Sequence, residues 1–199
     1  MGPVTRSYAR SWIRDGAMMA DGLLRLGDSD AARAYVDWYT PHQFANGKVP
    51  CCVDHRGSDP VPENDSHGEL IHAIAQVYRY GGDRAELERQ WPHVQAAIAY
   101  MDTLRASEDG KLNPAFKGLM PASISHEGYS AKPMHSYWDD FWALTGYIDA
   151  VDMARALGQS EATVRITHAR DEFHRELYAS IAPAVKERGN GRHPGRRRR

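Results

Sequence analysis

The chain has 199 residues, 42% hydrophobic and 26% charged, enough to bury one substantial core and unlike a disordered or fibrous protein. Its formal net charge of -1 conceals an asymmetry: the last ten residues hold five Arg and no acid, leaving 20 basic against 26 acidic side chains in residues 1–189. An acidic body argues against nucleic acid as a partner, and no apolar run approaches membrane-spanning length.

The N-terminus, Met1 to Arg6, has no apolar signal core, so a cytoplasmic location without a membrane partner is expected. Ser11-Trp12-Ile13-Arg14-Asp15-Gly16 leads into an apolar helical run, Ala17 to Leu26, closed by Gly27. Asp28 and Ser29 are placed to cap a second helix, Ala31 to Tyr39, which Pro41 ends. Residues Phe44 to Asn64 carry three Pro and two Gly without a sustained period and read as a long loop, which in a compact domain is usually functional. Within it Cys51 and Cys52, the only cysteines, are adjacent. A bridge between neighbours is strained, so two reduced thiols are the expected state. Their spacing is not that of a zinc site, and the ten His are scattered, so no metal is expected.

Asp65-Ser66-His67-Gly68-Glu69 opens a third helix, Leu70 to Tyr80, closed by Gly81-Gly82. Ser66 and Glu69 fit a capping box, as do Asp83 and Glu86 before the fourth helix. That helix is expected to reach about Ser107, restarting at Pro92. A second long loop, Glu108 to His135, carries Ser125-His126-Glu127-Gly128-Tyr129. Ser136-Tyr137-Trp138-Asp139-Asp140-Phe141-Trp142 then starts a fifth helix, closed by Gly158. Ser160 caps a sixth, which Pro183 is expected to stop near Ile181. No strand pattern of useful length is visible. The expected layout is one domain over 1–185 and a basic, disordered tail over 186–199.

Three times, then, a loop delivers an aromatic- or acid-rich motif to the start of an apolar helix. Each such helix is followed, after a short turn, by a capped and more amphipathic one. The fold class expected is all-α, three αα-hairpins with a buried inner and a wetter outer helix. Because every short turn follows an inner helix, the inner helices should run parallel and gather their motifs at one mouth. Arg14 and Asp15, Asp65 with His67 and Glu69, and Asp139 with Asp140 would ring it. In Ser136–Trp142 two adjacent carboxylates sit among aromatics, Trp138 and Trp142 on one face, Tyr137 and Phe141 on another. Flat apolar faces beside paired acids suit a sugar ring and its glycosidic oxygen.

Blander uses compete with each of these. Asp near a helix start is favoured by the macrodipole; Arg14 and Asp15 would make an ordinary ion pair; Glu69 is more simply a cap and Asp65 an N-cap. Glu127 is either a rim contact or a solvated turn. Trp38, Trp91, Tyr80 and Tyr100 are most simply core.

Trp12-Ile13-Arg14-Asp15-Gly16 resembles the W-x-R-D signature of six-hairpin, (α/α)6-toroid glycosidases, the superfamily of glucoamylase and the amylo-1,6-glucosidase part of glycogen debranching enzyme. Trp138-Asp139-Asp140 resembles the aromatic and two acids that carry the general acid there. The resemblance implies a glycoside hydrolase-like protein acting on α-glucosidic or related oligosaccharide bonds with inversion. It implies Asp139 as acid with Asp140 its neighbour. The two motifs add Trp12, Arg14, Asp15 and Trp138 as substrate-binding residues; Asp65, His67, Glu69 and Glu127 join that expected set from their place in the chain, without a role the resemblance assigns, and no cofactor is implied. Only three hairpins of six are legible, as in a truncated N-terminal half, and the family's second carboxylate has no match, so turnover by this chain alone stays open. An open half-ring would expose an inner-helix flank that a homodimer could cover. Two alternatives remain: a non-catalytic helical-repeat module that binds carbohydrate or peptide, and, with less support, a toroid lyase or epimerase.

Overall fold

The computed structural model describes residues 9–109, 116–124 and 132–190, the last four by their backbone alone. The chain is mostly helical: β1 Ser11–Trp12, α1 Ile13–Arg25, α2 Ser29–Tyr39, β2 Cys52–Asp54, β3 Gly57–Ser58, α3 Ser66–Gly81, α4 Arg84–Ala106, α5 Tyr137–Ala156 and α6 Ser160–Asn190. None of the described helices is long and apolar enough to cross a membrane.

Local chemistry explains most of the helix ends. Gly27, at φ +88°, turns the chain out of α1 where a side chain would be strained, and Asp28 then accepts from the Ala31 N–H to start α2. Asp83 accepts from the amides of Ala85 and Glu86, and Ser136 from that of Trp138, capping α4 and α5. The Ser66–Glu69 capping box does not form. Asp65 occupies the N-cap position with helical φ and ψ and no side-chain cap bond, and the Ser66 hydroxyl finds no partner among the described residues. Those acids are engaged elsewhere, as described below.

Both prolines expected to interrupt helices lie inside them. Pro92 is an exposed position of an unbroken α4, and α6 runs through Pro183 to Asn190, past the domain boundary expected at 185. A proline removes one backbone bond; around Pro92 the buried Trp91 and Val94 hold the helix against that loss. Among the aromatics expected in the core, Trp91 is buried, whereas Trp38 and Tyr80 are about half exposed, 46% and 47%.

The loop before α3 holds strands that no periodicity announced. β1, β2 and β3 form an antiparallel sheet in that order, with Trp12 opposite Cys52, Ser11 opposite Val53 and Val53 opposite Ser58. Strands of two or three residues are too short for a period-two pattern, and the pairing joins positions some forty residues apart.

Helix directions follow from who meets whom. Arg14 reaches Asp65 and Asp21 accepts from Gln76, so α1 and α3 run the same way. His72 meets Asp149 and Arg79 meets Asp152, so α3 and α5 do too. The intervening helices run back: Tyr35 of α2 donates to Trp12 O, Arg84 of α4 to Ala156 O, and Tyr137 pairs with Ser180 of α6. α2 lies against α1 and α3, α4 against α3 and α5, and α6 against α5. Buried Ile13, Leu24, Ile71, Ile74, Val94, Ile98, Tyr147 and Phe173 fill the space between them.

The α3–α5 crossing is the tightest. A Cβ on Gly68 would stand 2.0 Å from the Trp142 carbonyl oxygen, and one on Gly146 would stand 2.9 Å from Gly68 Cα. The two backbones touch directly, which sets the start of α3 beside the first turn of α5.

Gly68→Ala should therefore lower the unfolding free energy in urea by about 1–3 kcal/mol through overpacking. Gly22→Ala, in open space on α1, should raise it by about 0.5–1 kcal/mol through helix propensity. Equal effects at the two sites would show that the crossing is not close-packed.

Candidate functional site

The start of α1 is fixed first. Trp12 pairs with Cys52, and the Ile13 amide donates to Cys51 O at 3.0 Å. This places Arg14 so that its Nε donates to Asp65 Oδ2 at 3.1 Å and its terminal nitrogen to Glu63 Oε2 at 2.5 Å, with Glu69 Oε1 4.0 Å away. From α5, Trp138 Nε1 donates to the same Asp65 Oδ2 at 2.8 Å. One carboxylate oxygen thus joins the first turns of all three parallel helices.

Burial opposes the Arg14 charge, but the carboxylates of Asp65, Glu69 and Glu63 outweigh it and raise its pKa. Three acids around one cation cannot all be ionised cheaply. Burial, reinforced by the Asp65 charge and resisted by Arg14, pushes Glu63 to about 7. The same causes lift Glu69, wholly buried, well above the usual carboxylate range, which favours its neutral form. The cluster thereby combines a fixed cation, a fixed anion and neutral or half-neutral carboxyls. That mixture of donors and acceptors suits a ligand rich in hydroxyls.

Around this centre the other candidates divide. Trp12 is half-buried, with the Arg10 and Arg14 guanidinium groups each 5.9 Å from its ring centroid. Trp138 is 38% exposed and meets Trp142 edge-on at 6.0 Å. Asp15 is exposed and, among the described residues, makes no hydrogen bond or ion pair, so the alternative of an Arg14–Asp15 pair does not form. His67 turns elsewhere. Its Nδ1 accepts from the Val49 amide at 3.2 Å, its ring meets Tyr100 edge-on at 5.0 Å, and burial pushes its pKa down to about 3. It is a neutral imidazole with Val49 and Tyr100, not Arg14, as neighbours. Glu127 lies outside the described residues.

Asp139 and Asp140 are at the same end of the helices as Asp15 but face the second loop. Asp139 Oδ2 accepts from Ser123 Oγ at 2.6 Å, and Asp140 Oδ1 from the Met120 amide at 2.9 Å. Both are buried. Burial pushes Asp140 to about 7 against the Met120 amide and the Arg105 charge. The second loop is in turn stitched to the first: Asn64 Nδ2 donates to Pro121 O at 2.8 Å and the Ile124 amide to Pro62 O at 3.1 Å. The acid pair and the Arg14 cluster therefore adjoin across the segment Pro62–Asn64.

Glu63, the closest partner of Arg14, is absent from the sequence-based candidates. It lies in a Pro-rich loop with no period to aim its side chain. Its one signal was the company of Asp65 two residues on.

Searches against family models, curated proteins and solved structures gave no match.

Glu63 and Asp140 have native pKa values of about 7, above their ordinary 4.5 and 3.8. Between those limits the native state binds more protons than the unfolded one, so these groups make stability fall as pH rises, then level off above about 7. The double variant E63Q/D140N should lose that component: its stability relative to the parent should increase from pH 4 to pH 7 in chemical denaturation. A difference that stays flat across this window would contradict the assignment.

Proposed function

We propose that this chain is a glycoside hydrolase-like protein that binds and cleaves α-glucosidic or related oligosaccharide bonds. The observation that carries this reading is the shared Asp65 oxygen, on which Arg14 and Trp138 from separate segments converge beside buried acids. In this reading the three parallel helices and their outer partners are three hairpins of an (α/α)6 toroid. Arg14 and Asp15 hold hydroxyls of the terminal sugar, and Trp12 and Trp138 supply apolar faces.

Hydrolysis with inversion needs one protonated carboxyl on the leaving oxygen and a second carboxylate to activate water, roughly 6.5–9.5 Å apart. We assign the acid to Asp139, with Asp140 as its neighbour. Asp139 must then exchange the Ser123 hydroxyl for the glycosidic oxygen when substrate enters. Glu63, titrating near neutrality beside Arg14, joins the set as a carboxyl suited to proton transfer. The homodimer expected from the sequence would cover the exposed Tyr137, Phe141 and Ile148 of α5.

One observation favours the second reading, a non-catalytic module that binds carbohydrate or peptide: both members of the acid pair are already engaged in holding the second loop.

A panel of aryl α-glucosides and malto-oligosaccharides separates the two. Under the first reading the wild-type chain turns over a member of the panel, Asp139→Asn abolishes turnover while keeping ligand-induced Trp fluorescence changes, and Arg14→Ala weakens binding tenfold or more, a loss of about 1.4 kcal/mol. Binding without turnover by the wild type supports the second reading. Neither binding nor turnover removes both.

A further inference from the structure

Outside the Arg14 cluster, one group of side chains has the composition of a ligand site. Cys52 sits in β2 opposite Trp12, and Cys51 precedes it at a bend. Side chains of neighbours in a regular strand point to opposite faces, yet the two sulfurs here lie 3.6 Å apart. The β2–β3 hairpin returns the chain so that the Asp59 amide donates to Cys52 O at 2.9 Å. This brings Asp59 Oδ2 to 3.9 Å from Cys52 Sγ. All three ligand atoms lie within 4.8 Å of one another.

We propose that Cys51, Cys52 and Asp59 form a binding site for a thiophilic divalent cation of the zinc class. Two thiolates at about 2.3 Å from a tetrahedral zinc stand roughly 3.8 Å apart, and a thiolate and carboxylate oxygen on the same ion stand roughly 3.5 Å apart. The observed 3.6 Å and 3.9 Å match those edges within a few tenths of an ångström. Charge points the same way. Arg10 lies 3.2 Å from Asp59 Oδ2 and 3.7 Å from Cys52 Sγ. Arg10 also lies 3.5 Å from Asp54, which Arg56 pairs with in turn; two thiolates with Asp59 and Asp54 total four negative charges, and a divalent ion with Arg10 and Arg56 totals four positive, so the group is neutral when loaded. The cysteines are buried whereas the Asp59 side chain keeps 20% exposure, so the ion enters from the Asp59 side and a water completes its shell there.

Uptake converts the two thiols to thiolates and releases their protons to solvent, so binding tightens as pH rises. A loaded site would fasten the first loop to β1 and so hold Trp12 and Arg14 at the mouth. The spacing rules for zinc motifs miss such a site, because two of its ligands are adjacent and the third arrives through a hairpin. The inference stands apart from the sugar-cleaving reading, since neither needs the other.

The test is titration of the reduced full chain with Zn2+ against a chromophoric chelator, and with Co2+ followed by absorption. One equivalent of Zn2+ should bind, and Co2+ should give a near-ultraviolet thiolate charge-transfer band. C51S/C52S should abolish both, and D59N should weaken Zn2+ binding roughly tenfold or more. Bound Zn2+ should also protect both thiols of the wild type from a thiol reagent, a readout that needs no variant to fold. Absence of stoichiometric uptake by the wild type overturns the proposal. So does uptake that survives C51S/C52S, or wild-type thiols equally reactive with and without Zn2+.

Discussion

A carboxylate with no solvent exposure must find its counter-charges inside the protein, and at Asp65 that requirement ties three segments together. Its Oδ2 accepts from Arg14 of α1 and from the indole N–H of Trp138 of α5 while Asp65 itself leads into α3. Removing any one donor would leave a buried charge short of partners. The positions of Arg14 and Trp138 relative to each other are therefore set by a third residue.

The arrangement is reachable only because α3 and α5 approach to backbone contact at Gly68 and Gly146. With side chains at those positions the helices would stand farther apart, and an indole on the first turn of α5 would not reach the start of α3. The glycine crossing and the Asp65 junction lie within one turn of each other. Packing supplies the proximity, and electrostatics selects the register.

The acids that surround this junction illustrate how a protein accommodates more carboxyls than cations. Among the described residues, Arg14 is the one cation in contact with Glu63, Asp65 and Glu69. Protons make up the difference: burial raises Glu69 well above the usual carboxylate range and lifts Glu63 to about 7. Asp140 reaches the same range by a separate route, burial beneath the second loop, where the Met120 amide is its hydrogen-bond donor. Groups poised near neutrality are what proton-transfer chemistry uses, and here they arise from gathering buried acids around few cations.

Helix positions were largely readable from the chain alone, because caps and left-handed glycines act within a few residues: Asp28, Asp83, Ser136 and Gly27 do what their local chemistry dictates. The parallel course of α1, α3 and α5 was readable too, from the short turns that follow each. The partners of the charged side chains were not. Arg14 pairs with Glu63 and Asp65 some fifty positions away instead of Asp15, Ser66 and Glu69 leave a capping box unformed, and Asp139 and Asp140 turn to Ser123 and Met120. The short sheet that sets Cys52 opposite Trp12 likewise joins distant segments. Local sequence determines where a helix can begin, since its terms are decided within one turn; which buried charge meets which is decided only when packing brings remote segments into one low-dielectric space.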